Sequence, residues 1–178
     1  MSDEDRKTAI TPADMLKVIM LAGAAIGLVS ITLIWFTRDF TFFRFDYTGY
    51  DFYFKSVNYP ATYPKIGYYA YMPFIVLGAS AVAVVASLIA FTKYEKIGVI
   101  AGAITGTAAL VATILYIFYP PSKMVFESSS IVSIDTIRLM DHLGLGVYSA
   151  LIGSILLIAA GLAILYIRQA ADSVPENE

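Results

Sequence analysis

Four long apolar stretches constrain the fold of this chain more than any other feature. A helix needs about 20 apolar residues to cross a hydrocarbon layer about 30 Å thick, and each stretch reaches that length. The expected spans are residues 15–36, 71–92, 97–119 and 145–167. Apolar residues make up 58% of the chain and charged residues 15%, which is typical of a membrane protein. We therefore predict one mainly α-helical membrane domain, residues 1–178, built as a bundle of four transmembrane helices.

The connections between the spans predict the topology. Residues 93–96 are too short to allow anything but an antiparallel pair of helices. Pro120 and Pro121 end the third span, because proline lacks the N–H that a helix requires. Residues 37–70 and 120–144 are then two long loops on one side of the membrane, and both termini lie on the other side.

The distribution of basic residues favours cytoplasmic termini. Both sides carry six Lys and Arg residues, but the terminus side is much shorter, so its positive charges are denser and closer to the span ends. The positive-inside rule then places the termini in the cytoplasm and the two loops outside the cell. We expect a multi-pass protein of the cell membrane, and the absence of cysteine with abundant Ile, Val, Ala and Gly suits a prokaryotic or archaeal one.

The middle of each span lacks ionisable residues. Such groups usually mark proton relays, ion paths or substrate sites, so their absence argues against a carrier or pump formed by one chain. A pore made by several copies remains open, and hydroxyl groups facing a lumen would favour it. The candidates are Ser80, Ser87, Thr105, Thr107 and Thr113.

Small residues recur at helical spacing in the spans and predict close helix packing, because a glycine lets two backbones approach. The third span has two overlapping GxxxG units. Two interpretations stay open: packing inside the four-helix bundle, or a seam with a second copy or another membrane subunit. The glycines concerned are Gly23, Gly27, Gly98, Gly102, Gly106 and Gly153.

An aromatic-rich segment follows the first span. Nine of the fifteen residues from 40 to 54 are Phe or Tyr, and Thr48-Gly49 is a turn signal. A hairpin folded there would pair Tyr47 with Tyr50. Since side chains alternate along a strand, six rings would then share one face. They are Phe43, Phe45, Tyr47, Tyr50, Phe52 and Phe54.

A face of six rings must be covered, because it exceeds the apolar area that a water-exposed surface tolerates. Residues 124–126 and 131–134 flank a serine-rich turn and predict a second hairpin. The two hairpins would form a small β-sheet lid over the bundle. A docking face for a partner, contact with lipid headgroups and a ligand site are the alternatives.

Signals of chemistry are weak. Without cysteine there is no disulfide or thiolate site, and without a basic stripe nucleic-acid binding is not expected. The single histidine, His142, lies beside Asp141. An acid–base or metal site would need several polar side chains to converge, which their spacing does not indicate. We expect no catalytic residue, metal or cofactor. The residues in question are Asp46, Asp51, Glu127, Asp135 and His142.

One span, a long β-rich loop, a short helical hairpin and a second loop together form an arrangement similar to that of claudin-like four-span proteins. The resemblance is one of topology; the first-loop tryptophan and cysteine pair of claudins have no counterpart here, where Trp35 is the single tryptophan. We expect a non-catalytic accessory or scaffold subunit of a membrane or cell-envelope complex. An oligomeric channel or transporter and an extracellular ligand-binding or sensor module are the alternatives.

Overall fold

The computed structural model of the chain describes residues 10–39, 44–51, 71–118, 122–128 and 131–172. Four helices dominate it, and all four are long and apolar enough to cross a membrane, as predicted. They are α1 (Pro12–Ser30), α2 (Met72–Ile89), α3 (Glu95–Ile117) and α4 (Leu145–Asp172).

The helices form a ring of antiparallel neighbours. α1 packs against α4 and α2, and α3 packs against α2 and α4. The bundle has a loop end and a terminus end. The loop end contains Ser30, Met72, Ile117 and Leu145, and the terminus end contains Pro12, Ile89, Glu95 and Asp172.

The first helix is shorter than expected. It begins with a capping box in which Thr11 and Asp14 bond to each other's backbone N–H, and it ends at Ser30 rather than at residue 36. The carbonyl groups at its end have side-chain donors: the Thr32 hydroxyl lies 2.8 Å from the oxygen of Val29. The Trp35 indole N–H lies 2.7 Å from the oxygen of Ser30. The last carbonyl oxygens of a helix need such hydrogen-bond partners. With them satisfied, the helix ends at Ser30, and residues 34–36 belong to a strand.

Four short strands form two antiparallel pairs: β1 (Ile34–Asp39) with β2 (Arg44–Thr48), and β3 (Ser122–Ser128) with β4 (Ile131–Ile137). The second pair confirms the predicted hairpin in the second loop, with Val125 opposite Ile134. Within the described residues each pair is a separate two-stranded sheet. A short 3₁₀ helix, Leu139–His142, leads from β4 to α4.

The expected register of the first hairpin is wrong. Tyr47 lies opposite Phe36 of β1, not opposite Tyr50. Residues 49–51 form a helical turn, because Thr48 and Asp51 make a reciprocal capping box: the Thr48 hydroxyl accepts from the Asp51 N–H at 3.1 Å, and the Asp51 carboxylate accepts from the Thr48 N–H at 3.2 Å. Gly49 is needed for close approach, since a Cβ there would lie 2.9 Å from the indole nitrogen of Trp35.

Candidate functional site

An aromatic cluster at the loop end joins the first hairpin to the bundle. This aromatic anchor consists of Trp35, Phe36, Tyr47 and Tyr116, all buried. The rings of Trp35 and Tyr116 meet edge to face with centroids 5.1 Å apart, and the Tyr116 hydroxyl donates to the backbone oxygen of Trp35 at 3.3 Å. Together with the bond from Trp35 to Ser30, these contacts attach β1 to both α1 and α3.

A glycine provides the space for Trp35. A Cβ on Gly146, at the start of α4, would lie 2.6 Å from the indole nitrogen and 2.8 Å from the oxygen of Ser30. The anchor therefore contacts α1, α3 and α4 at once. Sequence reasoning missed it because it assigned residues 34–36 to the first span. A sequence signal for extended chain was present there, because three β-branched residues lie just before the tryptophan: Ile31, Thr32 and Ile34.

The structure separates two of the six rings predicted to share a face. Tyr47 is buried and packs on Phe36, with ring centroids 5.9 Å apart. Tyr50 is 51% exposed and lies 6.4 Å from the ring of Phe74. The side chains of the other four lie outside the described residues, so a common face stays a prediction for them. They are Phe43, Phe45, Phe52 and Phe54.

The described polar residues near the first hairpin have structural partners. The Asp46 carboxylate accepts from the Thr37 hydroxyl at 2.6 Å and from Arg44 at 2.9 Å. The Thr37 hydroxyl and, more weakly, the Arg44 guanidinium hold the pKa of Asp46 below its ordinary value, although partial burial opposes them. The bond from Thr37 to Asp46 links β1 to β2, whereas the bond from Arg44 lies within β2.

His142 attaches the 3₁₀ helix to β1. Its Nδ1 lies 3.1 Å from the oxygen of Thr37. Because a carbonyl oxygen only accepts, Nδ1 must hold the proton of this bond. The imidazole ring also packs against Phe36, with centroids 5.3 Å apart. Within the described residues no three metal-ligating side chains come together. The side chains of Glu127 and Asp135 lie outside them.

The predicted helix-packing glycines all face neighbouring helices of the same chain. Gly23 and Gly153 oppose each other between α1 and α4: a Cβ on Gly153 would lie 2.6 Å from the oxygen of Gly23. On α3, a Cβ on Gly98 would meet the backbone of α2, and one on Gly106 would lie 2.8 Å from Leu157 of α4. Gly27 meets Ser80 and Gly102 meets Met20. All six glycines are buried, so they serve contacts within the bundle.

The hydroxyl groups proposed to face a lumen are either buried or bonded to their own helix. Ser80, Ser87 and Thr113 are buried. The hydroxyls of Thr105, Thr107 and Thr113 donate to carbonyl oxygens of their own helix at 2.8–2.9 Å. Each of these hydroxyls has used its one proton within its own helix.

A charged cluster lies at the terminus end. This ionic clamp consists of Asp14, Lys17, Glu95 and Arg168. The Lys17 ammonium, 9% exposed, lies 3.0 Å from Asp14 and 3.3 Å from Glu95. Arg168 binds both oxygens of Glu95, at 2.9 and 2.6 Å. The clamp links α1, α3 and α4, and sequence reasoning missed it because the three helices are far apart along the chain.

An apolar groove opens on the outer face of the bundle between α2 and α3. The α2–α3 groove has a volume of about 520 Å³. Its one polar side chain, Thr107, has its hydroxyl bonded to the oxygen of Ala103 at 2.9 Å. The lining therefore suits an apolar occupant. It consists of Met72, Ile75, Ile104, Thr107, Ala108, Val111, Ala112 and Leu115.

Exposed aromatic side chains mark two levels along the bundle. Tyr148 and Tyr166 of α4 are 50% and 74% exposed. They are 18 residues apart in the helix, a rise of about 27 Å at 1.5 Å per residue. Tyr71 lies near the first level, and Tyr94 near the second; both are exposed. Aromatic residues concentrate at the two membrane–water interfaces, and this spacing matches one hydrocarbon layer.

Comparison of the chain with protein-family models, curated proteins and solved structures finds no match.

Proposed function

We propose that this protein is a non-catalytic accessory or scaffold subunit of a membrane complex, and that it binds an apolar helix of a partner in the α2–α3 groove. The observation that supports this most is the groove itself. It is apolar, its one hydroxyl is already bonded, and it faces away from the bundle axis. Cell-membrane insertion with cytoplasmic termini is part of the proposal.

The shape of the groove favours a helix as occupant. Between the bulky Ile104 and Val111 of α3, the small side chains of Thr107 and Ala108 leave a depression on the exposed side of the helix. In lipid, helices associate by packing of this kind, because lipid tails are as apolar as leucine and leave no hydrophobic driving force. A partner helix gains contacts there that a smooth surface would not give.

A channel or transporter is the weaker proposal. Within the described residues, contacts of buried glycines close the gaps between the helices. The hydroxyls of Thr105 and Thr113 bond to carbonyl oxygens of their own helix. A path for an ion would then require several copies. An extracellular sensor acting through the predicted aromatic lid is a further alternative; of the two described rings of that lid, Tyr50 is the exposed one.

Site-specific photo-crosslinking in the native membrane tests the proposal. A photoreactive amino acid replaces Val111 in the groove, or Ile155, which is equally exposed on α4, as the matched control. We expect a discrete protein adduct from position 111 and none from position 155. Adducts of the two positions with equal yield, or lipid adducts alone from position 111, would contradict the proposal, and the second result would identify the groove as a lipid site.

Filling the groove provides the complementary test. Ala108 is exposed, so Ala108→Phe leaves the interior of the bundle intact and places a ring in the depression. We expect the crosslink from position 111 and the co-purification of the same partner to disappear together. Ile155→Phe, the control, should leave both unchanged. A strictly monomeric protein without partner in mild detergent would argue against the scaffold role.

A further inference from the structure

A second cavity lies at the terminus end of the bundle, far from the α2–α3 groove. This α3–α4 pocket has a volume of about 320 Å³ and lies between the first turn of α3 and the last turns of α4. Its rim is polar and Leu165 forms an apolar part of its wall. The lining residues are Lys96, Leu165, Arg168, Gln169 and Asp172.

Two cationic side chains line the pocket. Lys96 is exposed, and it makes no ion pair with the part of the chain that the structure describes. Arg168 is held in place by two bonds to Glu95, at 2.9 and 2.6 Å, and is 47% exposed. A guanidinium has five N–H donors, so these two bonds leave others available. The pocket thus combines one positioned cation, Arg168, with one cation, Lys96, that has no ion-pair partner among the described residues.

The depth of the pocket indicates what it meets. Tyr94 and Tyr166 are exposed, and each lies two residues before one of the two cations. Since exposed tyrosines of membrane helices lie at the headgroup level, Lys96 and Arg168 lie at that level as well. Phosphate groups are the anions of that layer, and lysine and arginine are their usual protein ligands.

We propose that the α3–α4 pocket binds the phosphate of a membrane phospholipid. Lys96 and Arg168 contact the phosphate, and Leu165 contacts the apolar part of the lipid next to it. The Asp172 carboxylate lines the same pocket and is suited to a headgroup amine. A headgroup that carries both a phosphate and an amine therefore complements the lining better than one that carries only negative charge.

Native mass spectrometry of the full-length chain in detergent tests this site. The protein is incubated with equal amounts of phosphatidylethanolamine and phosphatidylglycerol, and the lipid retained after mild activation is measured. We expect retention of phosphatidylethanolamine, and a loss of about fivefold in Lys96→Gln, as for one charge-assisted contact at a partly exposed position. Lys93→Gln is the matched control, because Lys93 is an exposed lysine of the same link that lies over the ring of Tyr94 and outside the pocket.

Equal lipid retention in Lys96→Gln and Lys93→Gln would overturn the proposal, provided that circular dichroism shows both variants folded. Millimolar inorganic phosphate should not displace the lipid. If it did, the pocket would bind free phosphate without the apolar contact to Leu165, and the lipid assignment would be wrong. Preferential retention of phosphatidylglycerol would likewise contradict the role given to Asp172.

Discussion

The two ends of the bundle tie the same three helices together by different physical means. At the loop end, Trp35 contacts Ser30 of α1, Tyr116 of α3 and Gly146 of α4. At the terminus end, the ionic clamp links α1, α3 and α4 through charged side chains. The aromatic anchor is neutral and buried, whereas the ionic clamp is charged and partly exposed to solvent.

This difference follows from the surroundings of each end and from the structure that it holds in place. Burial of the Trp35 ring leaves no polar group without a partner, because its N–H is hydrogen-bonded. Such a contact suits the end of the bundle that also positions a β-hairpin. Charges near an interface keep part of their hydration, so the clamp adds modest stability and responds to salt. α2 belongs to neither set of hydrogen bonds, and the α2–α3 groove lies along it.

Removal of the aromatic anchor should have the largest effect on stability. Trp35→Ala empties the space of a fully buried ring, and we expect a loss of about 3–5 kcal/mol in the free energy of unfolding. Reversible unfolding in mixed micelles, followed by far-ultraviolet circular dichroism, measures it. Trp35→Phe keeps much of the ring but removes the donor to Ser30, and should cost about 1–3 kcal/mol. If both variants cost the same, packing of the ring is not what stabilises this end.

A larger side chain at Gly146, where Trp35 packs, should have the next largest effect on stability. In Gly146→Ala the new methyl group meets Trp35 and the backbone of α1, so we expect a loss of about 1–3 kcal/mol from overpacking. Gly78→Ala is the matched control, because its Cβ would meet nothing within 4 Å. There alanine should be neutral, or stabilising by up to about 1 kcal/mol, because glycine weakens a helix interior. Equal changes of stability in the two variants would show that the contact of residue 146 with Trp35 does not decide the result.

Breaking the ionic clamp should cost less than breaking the anchor. Glu95→Gln leaves Lys17 with Asp14 alone and frees Arg168, and we expect a loss of about 1–2 kcal/mol that shrinks as salt is added. Arg168→Gln should cost below about 1 kcal/mol, because Arg168 is half exposed. The loss in Trp35→Ala should not change with salt. A salt-independent loss in Glu95→Gln would remove the distinction between the two ends.

The helices were predictable from the sequence because hydropathy and length decide them locally. The aromatic anchor was not, because it depends on Gly146, which follows Trp35 by more than a hundred residues. The predicted register of the first hairpin was wrong for a related reason. Thr48-Gly49 is a good hairpin turn by composition, but the local capping box of Thr48 with Asp51 and the pairing of Tyr47 with Phe36 give a different structure.

The ionic clamp likewise could not be predicted from local sequence patterns. Lys17, Glu95 and Arg168 are each ordinary charges near the ends of apolar segments, and their sequence positions do not show that they meet. Antiparallel packing brings the three helix ends together, and only then does their charge pattern become a network. Local patterns therefore predicted the elements here, and tertiary contacts chose the residues that join them.

The smallest expected effect is a pH dependence of the first hairpin, on the loop end. The Thr37 hydroxyl, followed by Arg44, lowers the pKa of Asp46 in the folded protein. A carboxyl group with a lowered folded pKa stabilises the fold above its unfolded pKa, and this contribution is lost as the pH falls through the folded value. Pairing of β1 with β2 should therefore weaken in the acid range below the ordinary pKa of aspartate, while the helices persist.

Nuclear magnetic resonance of the side-chain carboxyl of Asp46, with amide exchange of β1, measures this effect in micelles. Thr37→Val should raise the pKa of Asp46 toward its ordinary value, because it removes the hydrogen bond that is the largest single cause of the lowered pKa. Asp46→Asn should make the protection factors of the β1 amides, which are corrected for the intrinsic pH dependence of exchange, independent of pH over that range. If the protection factors of the Asn variant kept the acid dependence of the parent protein, another group would control the hairpin. The bonds of Trp35 and Tyr116 would still attach β1 to the bundle in acid, since they contain no carboxyl group.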